Sequence, residues 1–301
     1  MLPGGHDGWR IQSLAAWIST VTDWSKLKHA YGTAEDIPDL LGQLGPDLLT
    51  QAWDDLWSRL YHQGAAYSAS YAALPALTQK AREWPACDRT GPLFLAGAIV
   101  SIGDRPYRQA YAAQIAELAA LAEESLLEPS LDGDLVAYVN LLQTLLAFED
   151  AGVWGRHLDR LLAEEYEVWC PHCETRNFIV FARYGYFSTL DTMYMKGIGG
   201  EQLPLYPADP DALEGFQGRL HSRVLAAGHP DFAEKLTYVF GTAQCPACAT
   251  LFPVDQAISA RWDLSRGVPV KARALHRGPA RSRRGSRRAV RAGIASAASG
   301  S

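Results

Sequence analysis

The chain has no apolar run long enough to cross a membrane. Its longest uncharged apolar stretch, Gly91 to Gly103 (GPLFLAGAIVSIG), falls well short of the roughly 20 residues a span requires and reads as a buried helix. No basic segment followed by an apolar one opens the sequence, so no secretion signal is expected. A P-loop, a GxSxG turn, an HExxH helix and a dinucleotide fingerprint are all missing. Gly197-Ile198-Gly199-Gly200 lacks the strand-to-helix setting that phosphate binding needs. With no catalytic constellation in view, the expectation is a protein that is not an enzyme. Cysteine is scarce too: there are five, too few for a disulfide framework in a chain of 301 residues, and this suits a reducing cytoplasm.

Charge is unevenly spread. Nine of the 28 Lys/Arg stand in residues 271–301, which hold none of the 33 Asp/Glu. The first 270 residues therefore carry 19 basic groups and a charge near −14, against +9 for the end of the chain. An acidic body argues against general nucleic-acid binding by the folded part. The terminal stretch KARALHRGPARSRRGSRRAVRAGIASAASGS has no apolar periodicity and is expected to be disordered. Its arginines allow salt-dependent contact with nucleic acid.

Up to residue 165 the pattern is helical. Leu14, Trp17, Ile18, Val21, Trp24 and Leu27 share a helical stripe, as do Ile37, Leu40, Leu41 and Leu44. Leu49, Trp53, Leu56, Trp57 and Leu60 mark a helix over 48–61, and an alanine-rich helix over 65–84 should be kinked by Pro75 in its interior. Further helices are expected near 91–102, 106–127, 134–150 and 154–166. Short Gly/Pro/Asp turns between them suggest stacked antiparallel pairs. This pattern, with the segments WSKLKHAYGTAEDIPDLLGQL and LYHQGAAYSASYAALPAL, resembles the HEAT-like (armadillo-type) helical repeat proteins of bacteria over residues 17–165. The resemblance implies a mainly α fold, an α-solenoid that presents a surface to a partner, and it brings no catalytic residues.

The chemistry lies in two matched turns, Cys170-Pro171-His172-Cys173 and Cys245-Pro246-Ala247-Cys248, separated by 71 residues. Two cysteines with two residues between them can place both sulfurs on one metal, and two such turns supply Cys170, Cys173, Cys245 and Cys248 as a closed set for structural zinc. A β-type run follows each turn: Phe178-Ile179-Val180-Phe181, then Leu251-Phe252-Pro253-Val254. The pattern resembles zinc-ribbon knuckles, here spread apart by an insertion whose helices are expected over 209–226 and 230–239. Reversible disulfides or a redox C-x-x-C are the rivals, although a thioredoxin-like motif should open a helix rather than precede strands. His172 reads as a solvent-facing turn residue rather than a fifth ligand.

Other residues are expected to be structural. Cys87 reads as a small packed side chain, and His29 and His62 as groups binding carbonyls at helix ends. The acid pairs Asp54/Asp55, Glu123/Glu124 and Glu164/Glu165 read as solvated helix faces. The expected plan is a helical domain over 1–165, a small α+β zinc-ribbon-like module over 166–258, and a terminal helix, linker and basic tail over 259–301. The expected function is a cytoplasmic, zinc-stabilised scaffold for another protein, with no membrane partner. Tyr184, Tyr186, Phe187, Tyr194 and Tyr206 are its candidate contacts. Nucleic-acid binding through the zinc module and tail is the alternative.

Overall fold

The computed structural model describes residues 22–131, 133–183, 185–193 and 200–262. The start of the stripe expected from Leu14, the basic stretch 271–301, Tyr184, Tyr194 and most of the Gly197–Gly200 sequence lie outside them. After a turn at Trp24–Lys26, two-residue strands β1 (Lys28–His29) and β2 (Gly32–Thr33) form a small hairpin. Helices α1 (Ile37–Gln43) and α2 (Gln51–Leu60) follow, then a second hairpin of β3 (Tyr61–His62) and β4 (Ala65–Ala66). The alanine-rich helix is two helices, α3 (Ser68–Ala72) and α4 (Leu74–Glu83), with Pro75 in the first turn of the second, where its missing N–H costs nothing. Next come α5 (Thr90–Ser101), α6 (Arg105–Ala110), α7 (Ala112–Leu126), α8 (Leu135–Phe148) and the short α9 (Trp154–His157). No helix among the described residues is long and apolar enough to cross a membrane.

From Glu165 the chain turns to strands. These are β5 (Glu165–Trp169), β6 (Arg176–Ala182), β7 (Gly185–Thr189) and β8 (Gln202–Tyr206), then helices α10 (Gly215–Ala226) and α11 (Pro230–Val239), strands β9 (Thr242–Gln244) and β10 (Leu251–Pro253), and helix α12 (Val254–Trp262). The strands form one antiparallel sheet in the order β10-β9-β8-β7-β6-β5. This overturns the expected mainly α solenoid: the fold is mixed, with a six-stranded curled sheet, a half-barrel. The expected ribbon hairpins are not a module apart. They are the two outer strand pairs of this sheet, and the residues between them supply its centre.

The curl has a local cause in β8. Its residues 202–204 pair with β7, whereas Leu205 and Tyr206 pair with Ala243 and Thr242 of β9. The change of neighbour falls just after Pro204, which has no N–H to give to a ladder. The sheet turns at that point.

Helix α8 explains why the helices do not continue as a solenoid. Its sequence, LVAYVNLLQTLLAF, is apolar nearly all round, and such a helix must be covered on all sides. Leu141, Leu145 and Phe148 join the core of the preceding helices, with Trp53, Leu77, Leu93, Ile99 and Leu118. Tyr138, Val139, Leu142 and Leu146 join the core under the sheet, with Tyr166, Phe181, Phe232 and Phe252. The second core thus runs across residue 165, and residues on both sides belong to one compact unit. Arg108 ties the bundle ends together, donating to the carbonyls of Val100, Ala147 and Phe148 at 3.1, 3.1 and 2.9 Å, so that one cation meets the negative ends of α5 and α8.

Several side chains fall elsewhere than expected. Leu49 precedes its helix and is 92% exposed, and Cys87 is exposed rather than packed. His29 and His62 lie in the small hairpins, not at helix ends. Buried His29 accepts the Tyr31 N–H at Nδ1 (3.0 Å) and faces Asp36 through Nε2 (3.2 Å), while His62 meets the Tyr31 hydroxyl at 3.2 Å. Of the acid pairs, Glu123 holds Arg223 in a two-point contact at 2.7 and 2.8 Å that ties α7 to α10.

Two outcomes test this packing. A Cβ on Gly155 would lie 2.6 Å from Ala147 Cα, where α9 crosses α8, so Gly155→Ala should lower unfolding free energy by about 1–3 kcal/mol. Gly42→Ala, in open space on α1, should raise it by up to about 1 kcal/mol; urea denaturation separates the two. The second concerns His157, which burial, and then Arg156 and Arg160, push down to about 4 from 6.5. The unfolded chain therefore takes up a proton that the folded state refuses as pH falls from 6.5 toward 4. Stability fully present above that window is lost across it. In His157→Phe this component should disappear, seen as a smaller loss between pH 7 and pH 5 than in the wild type.

Candidate metal centre

Both cysteine turns are built to one plan. Each joins two antiparallel strands: Trp169 pairs with Arg176 across the first, and Gln244 with Leu251 across the second. In the first, Cys170 N–H donates to Thr175 O (2.9 Å) and Glu174 N–H to Cys170 O (3.0 Å). In the second, Cys245 N–H donates to Thr250 O (3.0 Å) and Ala249 N–H to Cys245 O (2.8 Å). Glu174 and Ala249 occupy the same left-handed position, each with φ of 58°. That conformation costs a side-chain-bearing residue about 1 kcal/mol, and here two hydrogen bonds per turn hold it. The sequence unit is thus C-P-x-C-x-T, longer than the C-P-x-C legible at first. Thr175 and Thr250 stand at matching offsets, and this repetition was the available signal for them.

The threonines bear on the sulfurs. Thr175 Oγ1 lies 3.3 Å from Cys173 Sγ and Thr250 Oγ1 lies 3.5 Å from Cys248 Sγ, in reach to donate to a thiolate. The Thr175 hydroxyl, and next its backbone N–H, pull Cys173 down to about 6; the Thr250 hydroxyl lowers Cys248. Cys170 goes the other way, pushed up to about 12 by burial. Cys170 and Cys245 are buried members of the core under the sheet, whereas Cys173 is exposed and Cys248 intermediate. Each turn therefore offers one buried sulfur and one more accessible sulfur, and for Cys170 burial favours the neutral thiol unless a cation sits beside it.

Such a cation has a place. Cys170 Sγ is 3.8 Å from Cys248 Sγ, and Cys173 Sγ is 3.7 Å from Cys245 Sγ, so the contacts cross between the turns. All four sulfurs lie within 4.8 Å of one another. A tetrahedral ion with bonds of about 2.3 Å to sulfur requires sulfurs about 3.8 Å apart. A disulfide would need about 2.05 Å, and all four cysteines are free thiols. Cys170, Cys173, Cys245 and Cys248, the residues singled out in the sequence, are placed to hold a metal ion. They are the one such group among the described residues.

No family model matches the chain, and comparison with curated proteins and with solved structures finds no match. The site is therefore read on its geometry alone.

His172 is exposed in the first turn, as expected, and its N–H donates to Cys170 Sγ at 3.4 Å. Two residues of the surroundings carried no sequence signal. Ser188 on β7 donates from its hydroxyl to Gln244 O at 2.6 Å, and Asn177 on β6 reaches Cys245 with Nδ2 to Sγ at 3.7 Å. Both link the first half of the sheet to the second turn.

Chelation should act first on the turns rather than on all of 166–258, because the strands between them share the buried core with α8. Hydrogen exchange at 170–177 and 244–251 should quicken by at least about tenfold on chelator addition, with amides of α5 and α8 unchanged. Uniform quickening over the chain would show that the metal holds the whole fold instead.

Proposed function

We propose that the chain is a non-catalytic scaffold, shaped by structural zinc, that binds another protein in the cytoplasm. The crossed meeting of the four sulfurs carries this reading. Four thiolates satisfy the tetrahedral preference of zinc and leave no position open for a water or substrate, which distinguishes a structural from a catalytic site. Zinc bound this way contributes on the order of 10 kcal/mol to folding, enough to bring distant hairpins together. Large apolar side chains at the surface, Leu49, Leu127 and Tyr31 at 92%, 84% and 62% exposure, are the candidate contacts for a protein partner. Of the aromatics between the cysteine turns, Tyr206 is exposed, Tyr186 is half-buried and Phe187 is buried in a small cluster with Phe178 and Val180. The contact surface is thus better sought on the first hairpin and the loops flanking α2 and α7, where Tyr31, Leu49 and Leu127 stand, than between the cysteine turns.

Elemental analysis of the purified full chain should give one zinc per chain, with the four site thiols titratable only after chelation. Affinity capture from the native host, with zinc-loaded and stripped protein side by side, should recover a partner with the loaded form alone. A folded chain without metal and with four titratable thiols at the site ends the zinc reading. Retention on nucleic acid that fades with salt and with deletion of 271–301 would favour the tail-mediated alternative over a protein partner.

A further inference from the structure

Polar groups besides the cysteines meet the sulfurs of the centre, and most of them are local. The His172 N–H, the Thr175 hydroxyl and the Thr250 hydroxyl each lie beside a sulfur two residues away in their own turn. One comes from far off. Asn177, 68 residues from Cys245, directs its amide at that sulfur from the second position of the strand leaving the first turn. Its register partner is Val168 of β5, and its side chain is fully buried. The same Nδ2 donates to Thr175 O at 2.7 Å, so one amide proton fixes the side chain to the first turn and the other faces the sulfur of the second. Oδ1 finds no partner in the protein.

A buried amide with an orphaned oxygen is a burden on any fold unless its N–H groups gain more than the oxygen loses. A neutral thiol is a weak acceptor and offers little. A metal-bound thiolate is an anion that accepts hydrogen bonds strongly. Cys245 is also the one ligand that neither its own turn's threonine nor an N–H of that turn is seen to serve.

We infer that Asn177 is a positioning residue of the metal centre, which orients the Cys245 thiolate toward the shared ion and withdraws electron density from it through an N–H···S hydrogen bond. This rests on the four-cysteine metal reading. It makes Asn177 the group through which the first turn organises the second. Metal affinity should then depend on a side chain that touches no metal, as groups outside the ligand set do elsewhere with effects of about 10–100-fold.

Two measurements on the full chain test it. In the wild type loaded with ¹¹³Cd, the Asn177 side-chain amide proton should show scalar coupling to the metal through the sulfur, as should backbone protons bonded to ligand sulfurs. Backbone couplings without the Asn177 coupling would overturn the assignment. In Co(II)-loaded Asn177→Leu, a near-isostere without the donor or the orphaned oxygen, affinity should fall about 10–100-fold. The sulfur-to-cobalt absorption should also move to lower energy, while stability of the metal-free form stays level or rises. A merely structural role predicts instead that metal-free stability falls and the band stays in place. A wild type that binds neither Cd(II) nor Co(II) overturns the metal reading itself, a result the variant cannot mimic.

Discussion

Four sulfurs from two hairpins must meet, and those hairpins lie at opposite ends of a six-stranded sheet. In a flat sheet with strands about 4.8 Å apart, the centres of the β5–β6 and β9–β10 pairs would stand about 19 Å from each other. The observed sulfur contacts of 3.7 and 3.8 Å are possible only because the sheet turns at β8. The turn and the cluster thus require one another. Apolar burial is non-directional and does not by itself bring four sulfurs together. An ion shared by four thiolates would supply the directional attraction that burial lacks, and Ser188 and Asn177 add two hydrogen bonds along the same seam.

Helix α8 is the counterpart of that clasp on the other side of the core. It gives one face to the preceding helices and the other to the cupped sheet, so the two halves share a wall rather than meet across a joint. Arg108 fixes its C-terminal end, and the Glu123–Arg223 contact bridges α7 to α10 alongside it. A disturbance at the cysteine cluster therefore has a short route to the helices through Tyr166 and Val168 of β5, which stand in the same core as α8 and the two buried cysteines.

What could be read from the residues divides along a physical line. Local rules succeeded where a local cause decides: the helices near 91–102 and 134–150, the strand-like runs after each C-P-x-C turn. They failed where the deciding partner is distant. β6 is buried on both faces, so RNFIVFA shows no alternation to announce a central strand. β8 contains Pro204, which argues against a strand until its change of neighbour is known. α8 was legible as a helix near 134–150, but nothing in its sequence says that a sheet rather than another helical pair covers its second side. The cluster of four cysteines was legible because their spacing is itself the chemistry. Asn177 was not, because its role is set by a sulfur 68 residues away.

The meander that joins the two knuckles carries a parity condition. Each antiparallel strand reverses direction, so the knuckle after β5 and the knuckle after β9 open at the same end of the sheet only if an even number of strands lies between β6 and β9. Here β7 and β8 make up that number. The stretch between the cysteine turns can lengthen by a loop or by a helix such as α10 without sending either knuckle to the other end of the sheet. A single added or deleted strand would send the second knuckle to the opposite end, out of reach of the first. The spacing of 71 residues is in this sense elastic in length and quantised in strands.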